Sequence, residues 1–197
     1  MMRKSYAILL GIVAGLVVFV LLPVMATYNS LVNSEENVTQ AWANVESTYQ
    51  RRADLIPNLV TTVQGYAAHE TAIFNEITAA NVKLAEAING GSFEDVNAAN
   101  DELTGSLSRL VALAQDYPEL QASTVFVGMM DELEGTENRI NYARQKYNAA
   151  ATSYNKKLRT FPSSLVAGVL GFERHEVFRA DPGSSTAPTV QFPAPTP

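Results

Sequence analysis

The chain has no cysteine, only two histidines, and a single tryptophan among its 197 residues. Without cysteine there is no disulfide framework, no thiolate zinc site, no cysteine-linked lipid anchor and no thiol nucleophile. The histidines, His69 and His175, are each followed by glutamate, as in zinc proteases. That chemistry needs a second histidine four residues after the first, so that both face one metal ion. Those positions hold Ile73 and Arg179. No phosphate-cradling GxxxxGK and no nucleophile elbow occurs either, so no catalytic group, metal site or cofactor is expected. Charge is also scarce, at 17% of residues against roughly 25% in soluble domains. The net charge of -6 argues against nucleic acid, which is bound chiefly through Lys and Arg on phosphate.

What is present begins with an apolar run. From Tyr6 to Ala26 there is no charged residue. At about 1.5 Å per residue such a helix spans roughly 30 Å, the thickness of a bilayer's hydrocarbon core. Arg3 and Lys4 precede the run, and the next basic residue is Arg51. The positive-inside rule then places residues 1–4 in the cytoplasm, residues 5–26 across the membrane, and the remainder on the extracytoplasmic side. Val24-Met25-Ala26 offers small residues to a signal peptidase, but the run exceeds the ~7–15 apolar residues of a cleaved signal. An uncleaved signal anchor is the expectation. Tyr28 fits the aromatic belt at the membrane boundary, whereas Trp42 lies too far along and is assigned to the core.

Beyond the anchor, larger residues recur in 4/3 alternation: Val38, Trp42, Val45, Tyr49, Arg52, Ile56, Leu59, Val63 and onward to Leu84 and Ala87. A 3.5-residue period held this long marks left-handed helix packing of the coiled-coil type. Asn89-Gly90-Gly91 ends the run, and Ser92 is a natural N-cap with Asp95 three residues on. A second helix follows to Tyr117 before Pro118, and a third from Phe126 to Phe161 before Pro162. Lys156, Lys157 and Arg159 lie in its last turns, where the helix dipole favours cations. No strand-like alternation occurs, so the fold is expected to be all-α. It reads as an N-terminal transmembrane helix followed by a long antiparallel bundle of three helices, or four if the first breaks near Pro57, with Gly65 the weaker breaking point. Residues 165–178 suggest a short helix folding back. Residues 179–197, rich in Pro, Ser and Thr, suggest a disordered tail.

Several of these blocks resemble the LemA family. The block Arg51-Arg52-Ala53-Asp54-Leu55-Ile56-Pro57-Asn58-Leu59-Val60, with Gly65-Tyr66-Ala67-Ala68-His69-Glu70, is similar to that family's hallmark. Tyr28 to Val32, Ala41-Trp42, Tyr117-Pro118, Glu137 to Ile140, Ala143-Arg144, Tyr147-Asn148, Tyr154-Asn155, Phe161-Pro162 and Gly171-Phe172 continue the match in order. The Gly128-Met129-Met130 stretch fits less closely. The resemblance implies a bacterial membrane protein with one N-terminal anchor and a bundle over residues 27–178. It implies no reaction, and it keeps in view the building of internal membrane compartments.

Polar residues inside the seam are the candidate sites. Arg52, Glu70, Asn100, Glu137 and Arg144 stand where the rhythm expects apolar side chains, and a charge taken out of water needs a partner. On a straight helix Arg52 and Glu70 lie about 27 Å apart. Their partners must therefore come from elsewhere, with Arg52–Glu137 and Glu70–Arg144, or the reverse, as the expected pairs. Asn141, Asn148 and Asn155 recur every seven residues on the third helix, with Tyr147 and Tyr154 beside them. This stripe reads as a hydrogen-bonding ladder or as a recognition surface. The expected partners are the lipid bilayer together with other copies of the chain or other envelope proteins. A scaffold or adaptor role leads, ahead of ligand sensing and of membrane shaping by lateral assembly.

Overall fold

A computed structural model describes residues 2–179, with side chains from residue 10 onward apart from residues 13 and 20. The sequence expectation for the tail lies outside the described residues, except at Arg179. The fold is all-α, with helices α1 (Met2–Gln64), α2 (Thr71–Gly90), α3 (Phe93–Ala114), α4 (Pro118–Gln121), α5 (Thr124–Arg159) and α6 (Ser163–Leu170).

α1 is one helix from the apolar segment deep into the bundle. Among the described residues it is the one helix long and apolar enough to cross a membrane. Its apolar part is uncovered, with Leu16, Phe19 and Leu22 exposed, and the buried seam starts at Leu31, one heptad before Val38. From there Val38, Val45, Tyr49, Ile56, Leu59 and Val63 are all within 1% of complete burial.

The break expected near Pro57 falls instead between Gln64 and Thr71. A proline inside a helix leaves the carbonyl four residues earlier without its donor. Here that carbonyl belongs to Ala53, and the Asn81 side chain of α2 donates to it at 3.1 Å. With the orphan satisfied from a neighbouring helix, α1 runs on past Pro57. It ends where Gly65 lowers helix propensity and Ala67 turns inward to bury its methyl. Tyr66, which the rhythm places in the seam, falls in this turn and is 42% exposed.

α2 then returns antiparallel to α1, and α3 runs outward again along α2. Ser92 caps α3 with a complete capping box, its hydroxyl accepting from the Asp95 backbone while the Asp95 carboxylate accepts from the Ser92 backbone. Gly91 is needed in this turn because a Cβ there would lie 2.8 Å from the Ala87 carbonyl oxygen. Ion pairs Lys83–Glu102 and Glu76–Arg109 join α2 to α3. After the single turn of α4, α5 comes back along the whole outer part of α1. Thr62 meets Met129 at one end, and Lys157 reaches Ser30 and Ser34 at the other.

The bundle therefore has two parts. Its distal part, away from the apolar segment, has four helical segments around a core that includes Ile77, Leu84, Leu103, Leu110 and Ile140. The α2–α3 hairpin covers only the distal stretch of α1 and α5. The proximal part, next to the apolar segment, has α1 and α5, closed by α6 and by an extended strap over residues 172–179. Gly171, at φ +74°, makes the turn from α6 into the strap.

Candidate functional site

Two polar constellations lie where the two parts of the bundle join. The first is centred on Arg52, which is 6% exposed. Its Nη1 donates to Asn100 Oδ1 of α3 at 2.8 Å and to Glu137 Oε2 of α5 at 3.0 Å. One guanidinium thus ties three helices at a single height. Burial lowers the Arg52 pKa, and the Glu137 carboxylate opposes that shift. Asn141, on the exposed surface of α5, donates weakly to the other oxygen of Glu137, at 3.4 Å. Beside Arg52, α3 and α5 leave a groove of about 310 Å³, lined by Leu107, Val111, Met130 and Glu134 among others.

Arg144 does not meet Glu70. Its Nε donates to the buried Tyr49 hydroxyl at 2.7 Å, and its guanidinium lies 4.9 Å from the Phe178 ring centroid. Burial raises the Tyr49 pKa, and Arg144 pulls it back. Glu70 lies at the distal tip and accepts from the Tyr117 hydroxyl at 3.3 Å, tying the α1–α2 turn to the turn after α3. The expected Glu70–Arg144 pair fails because Arg144 lies level with Tyr49, 21 residues before Glu70, while Glu70 sits at the distal tip.

The second constellation is the asparagine stripe, which clasps the chain's own strap. Asn155 donates to the His175 carbonyl at 2.7 Å and accepts from the His175 amide at 3.0 Å. Asn148 does the same for Phe178, at 2.9 Å in both directions. A carboxamide offers one donor and one acceptor side by side, the pairing an adjacent β-strand would give. It therefore holds an extended backbone whatever side chains that backbone carries. The Tyr147 hydroxyl adds a bond to the Glu176 carbonyl at 3.0 Å, so the strap is held at three successive points.

Aromatic rings fill the space between. Trp42, Phe93, Tyr147 and Phe178 form one cluster with ring centroids 4.6 to 6.2 Å apart. Trp42 belongs to the core, as its spacing from the membrane suggested. Tyr154 is fully buried against His175 and donates to Glu35 Oε1 at 3.2 Å. Burial first, and then the Glu35 charge and hydrogen bond, push its pKa up to about 12.

The sequence did not single out Phe178, Asn81 or Tyr49 as site residues. Asn81 had a signal, since the carbonyl that Pro57 orphans requires a donor. Phe178 had none, because an aromatic at the end of a glycine-interrupted segment has no periodicity to place it. Among the described residues no three His, Cys, Asp or Glu side chains come together to hold a metal ion.

The chain matches the LemA family over residues 41–192. It is 30% identical to magnetosome protein MamQ of Magnetospirillum gryphiswaldense, over 88% of this chain and 72% of the relative. It is 29% identical to magnetosome protein MamQ 1 of Paramagnetospirillum magneticum, over 81% and 67%. Protein LemA of Metamycoplasma hominis is 25% identical, over 77% and 68%. With that match spanning both polar constellations and all of α2 to α6, the chain belongs to the LemA family.

Proposed function

We propose that this membrane-associated protein is a non-catalytic scaffold of the bacterial cell envelope, presenting its bundle at a fixed height to other copies or to other envelope proteins. The continuity of α1 carries this reading. One helix runs from the apolar segment to Gln64, and its part beyond Tyr28 rises about 55 Å. An unbroken helix passes the orientation of the anchor to the bundle, which suits a positioning role. Arg3 and Lys4 ahead of the apolar run support a cytoplasmic N-terminus and an extracytoplasmic bundle. The magnetosome names of relatives favour a membrane-organising form of the same role.

The test is a Gly-Ser-Gly-Ser insertion between Ala26 and Thr27, with in-cell crosslinking from the distal tip read by mass spectrometry. The bundle's melting temperature stays unchanged and the crosslinked set collapses if rigid positioning matters. An unchanged crosslinked set sinks the reading.

The groove between α3 and α5 supports a second reading, as a ligand sensor with Arg52 at its floor. In that case a small molecule raises the melting temperature of the native chain, and Glu137→Gln abolishes the rise.

A further inference from the structure

The membrane-proximal end of the bundle has an apolar face that no described residue covers. Phe161 is 77% exposed, Leu165 63% and Val169 85%, and Leu170 at the helix end 54%, while Val166 and Ala167, turned away from Leu165 and Val169, are buried. α6 contains no charged residue. Isolated exposed apolar side chains are ordinary, but a contiguous group on one short uncharged helix marks an interaction surface.

The position of this face identifies its partner. α5 runs antiparallel to α1, with Lys157 against Ser30 and Ser34. α6 therefore begins where α1 leaves its apolar segment. The Phe172 ring, two residues after α6, lies 6.0 Å from that of Tyr28, which places the other end of the helix at the same height. Val24, Met25 and Tyr28 of α1 are themselves exposed, so the α6 face continues a surface that already meets lipid.

The charges agree. Between residues 138 and 172 there is no Asp or Glu, but there are six basic residues, Arg139, Arg144, Lys146, Lys156, Lys157 and Arg159, in a chain of net charge -6. Lys156 and Arg159, with Arg174 from the strap, line a concavity of about 530 Å³ beside Phe161 that includes Thr152, Asn155 and Thr160. Among the described residues none of these three cations is in an ion pair.

We propose that α6 and Phe161 lie in the interfacial layer of the bilayer as a second membrane contact. Leu165, Val169 and Phe161 enter the acyl boundary, and Lys156, Arg159 and Arg174 receive an anionic lipid headgroup. An apolar face flanked by cations is the pattern of helices that rest in the membrane surface. Two contacts fix what one spanning helix leaves free, the rotation of the bundle about the α1 axis. The inference rests on α1 spanning the membrane and is independent of the scaffold reading.

Because the chain has no cysteine, a single substitution carries a single spin label. The full chain is placed in nanodiscs of phosphatidylcholine, with or without phosphatidylglycerol, and labelled in turn at Val169→Cys, Leu165→Cys, Met25→Cys and Val125→Cys. The readout is the ratio of collision with oxygen to collision with a nickel chelate. At positions 165 and 169 the ratio approaches that of position 25 and lies several-fold above that of position 125, at the distal end of the bundle. Ratios equal to that of position 125 overturn the proposal, as does dipolar broadening at 169 that reports a second copy on the face. Phosphatidylglycerol raises the ratio at 169, and Lys156→Gln with Arg159→Gln and Arg174→Gln removes that rise. The same ratio in both lipids overturns the headgroup assignment.

Discussion

The distal and proximal parts of the bundle bury the same α1 seam by different means. Distally, α2 and α5 pack on α1 and α3 packs on α2, and the core is made of aliphatic side chains such as Leu59, Ile77, Leu84 and Ile140. Proximally α5 runs beside α1 with the short α6 at its end, and the space that α2 and α3 fill distally is taken by a strap of extended backbone. Side chains fill volume, but extended backbone also brings amide groups that need partners away from water. That is why the proximal part is polar where the distal part is oily, with Asn148, Asn155 and Tyr147 supplying the hydrogen bonds. The distal part should behave as a cooperative core, and the strap as a unit that can open by itself.

The sharpest way to break this contrast is to hollow the distal core. Leu59→Ala should cost about 2–5 kcal/mol, the range for a buried leucine lost from a packed interior, measured as a lower urea midpoint for the whole bundle. Next comes the pin between the halves. Glu137→Ala leaves the Arg52 charge buried with Asn100 as its remaining partner, and should cost about 2 kcal/mol, below the range for sealed pairs because Glu137 is partly solvated. An unchanged urea midpoint would mean that the pair does not hold the helices together.

Asn81→Leu should cost about 1–3 kcal/mol by orphaning the Ala53 carbonyl. In a Pro57→Ala background, which restores the backbone donor, most of that loss should vanish. An undiminished loss in the double mutant would refute the compensation. Asn148→Ala with Asn155→Ala should cost about 1 kcal/mol per residue. Hydrogen exchange would show its location, with protection falling over residues 172–179 and holding over α2 and α3. Uniform loss of protection would merge the two parts into one unit.

The last effect shows only at high pH. An unfolded tyrosine ionises near pH 10, and Tyr154 in the fold only at about 12. Its contribution is complete below pH 10 and declines as pH rises from 10 to 12. Tyr154→Phe should flatten that part of the stability curve, and an unchanged slope would place the ionising group elsewhere.

Helices were legible in the sequence because the 3.5-residue rhythm states which face is covered. It placed Val45, Ile56, Leu133 and Tyr154 inside without reference to what covers them. What covers them was harder to read, because a period names a face and not a neighbour. The first helix shows why. Its rhythm carries on through Tyr66 and Glu70 to Ile77, so periodicity alone does not reveal the reversal at Gly65, and Pro57 is the more conspicuous breaker. The remedy for Pro57 lies 24 positions away at Asn81, outside any local window. The strap was hidden for a different reason, since it is held through backbone groups that its own residue types do not specify. Only the receiving asparagines left a trace, in their spacing of seven.

That spacing has a consequence of its own. Seven residues of helix advance about 10.5 Å, and three residues of extended chain advance about 10 Å. Asn155 and Asn148 bind His175 and Phe178, so the two scales coincide at both marks, as on a vernier. A strap displaced by one residue would miss both marks together, so it can be seated or released but not creep. Two ordinary amides thereby give the proximal end a click-stop, and fix the distance between the α6 turn and Phe178 for as long as the strap stays seated.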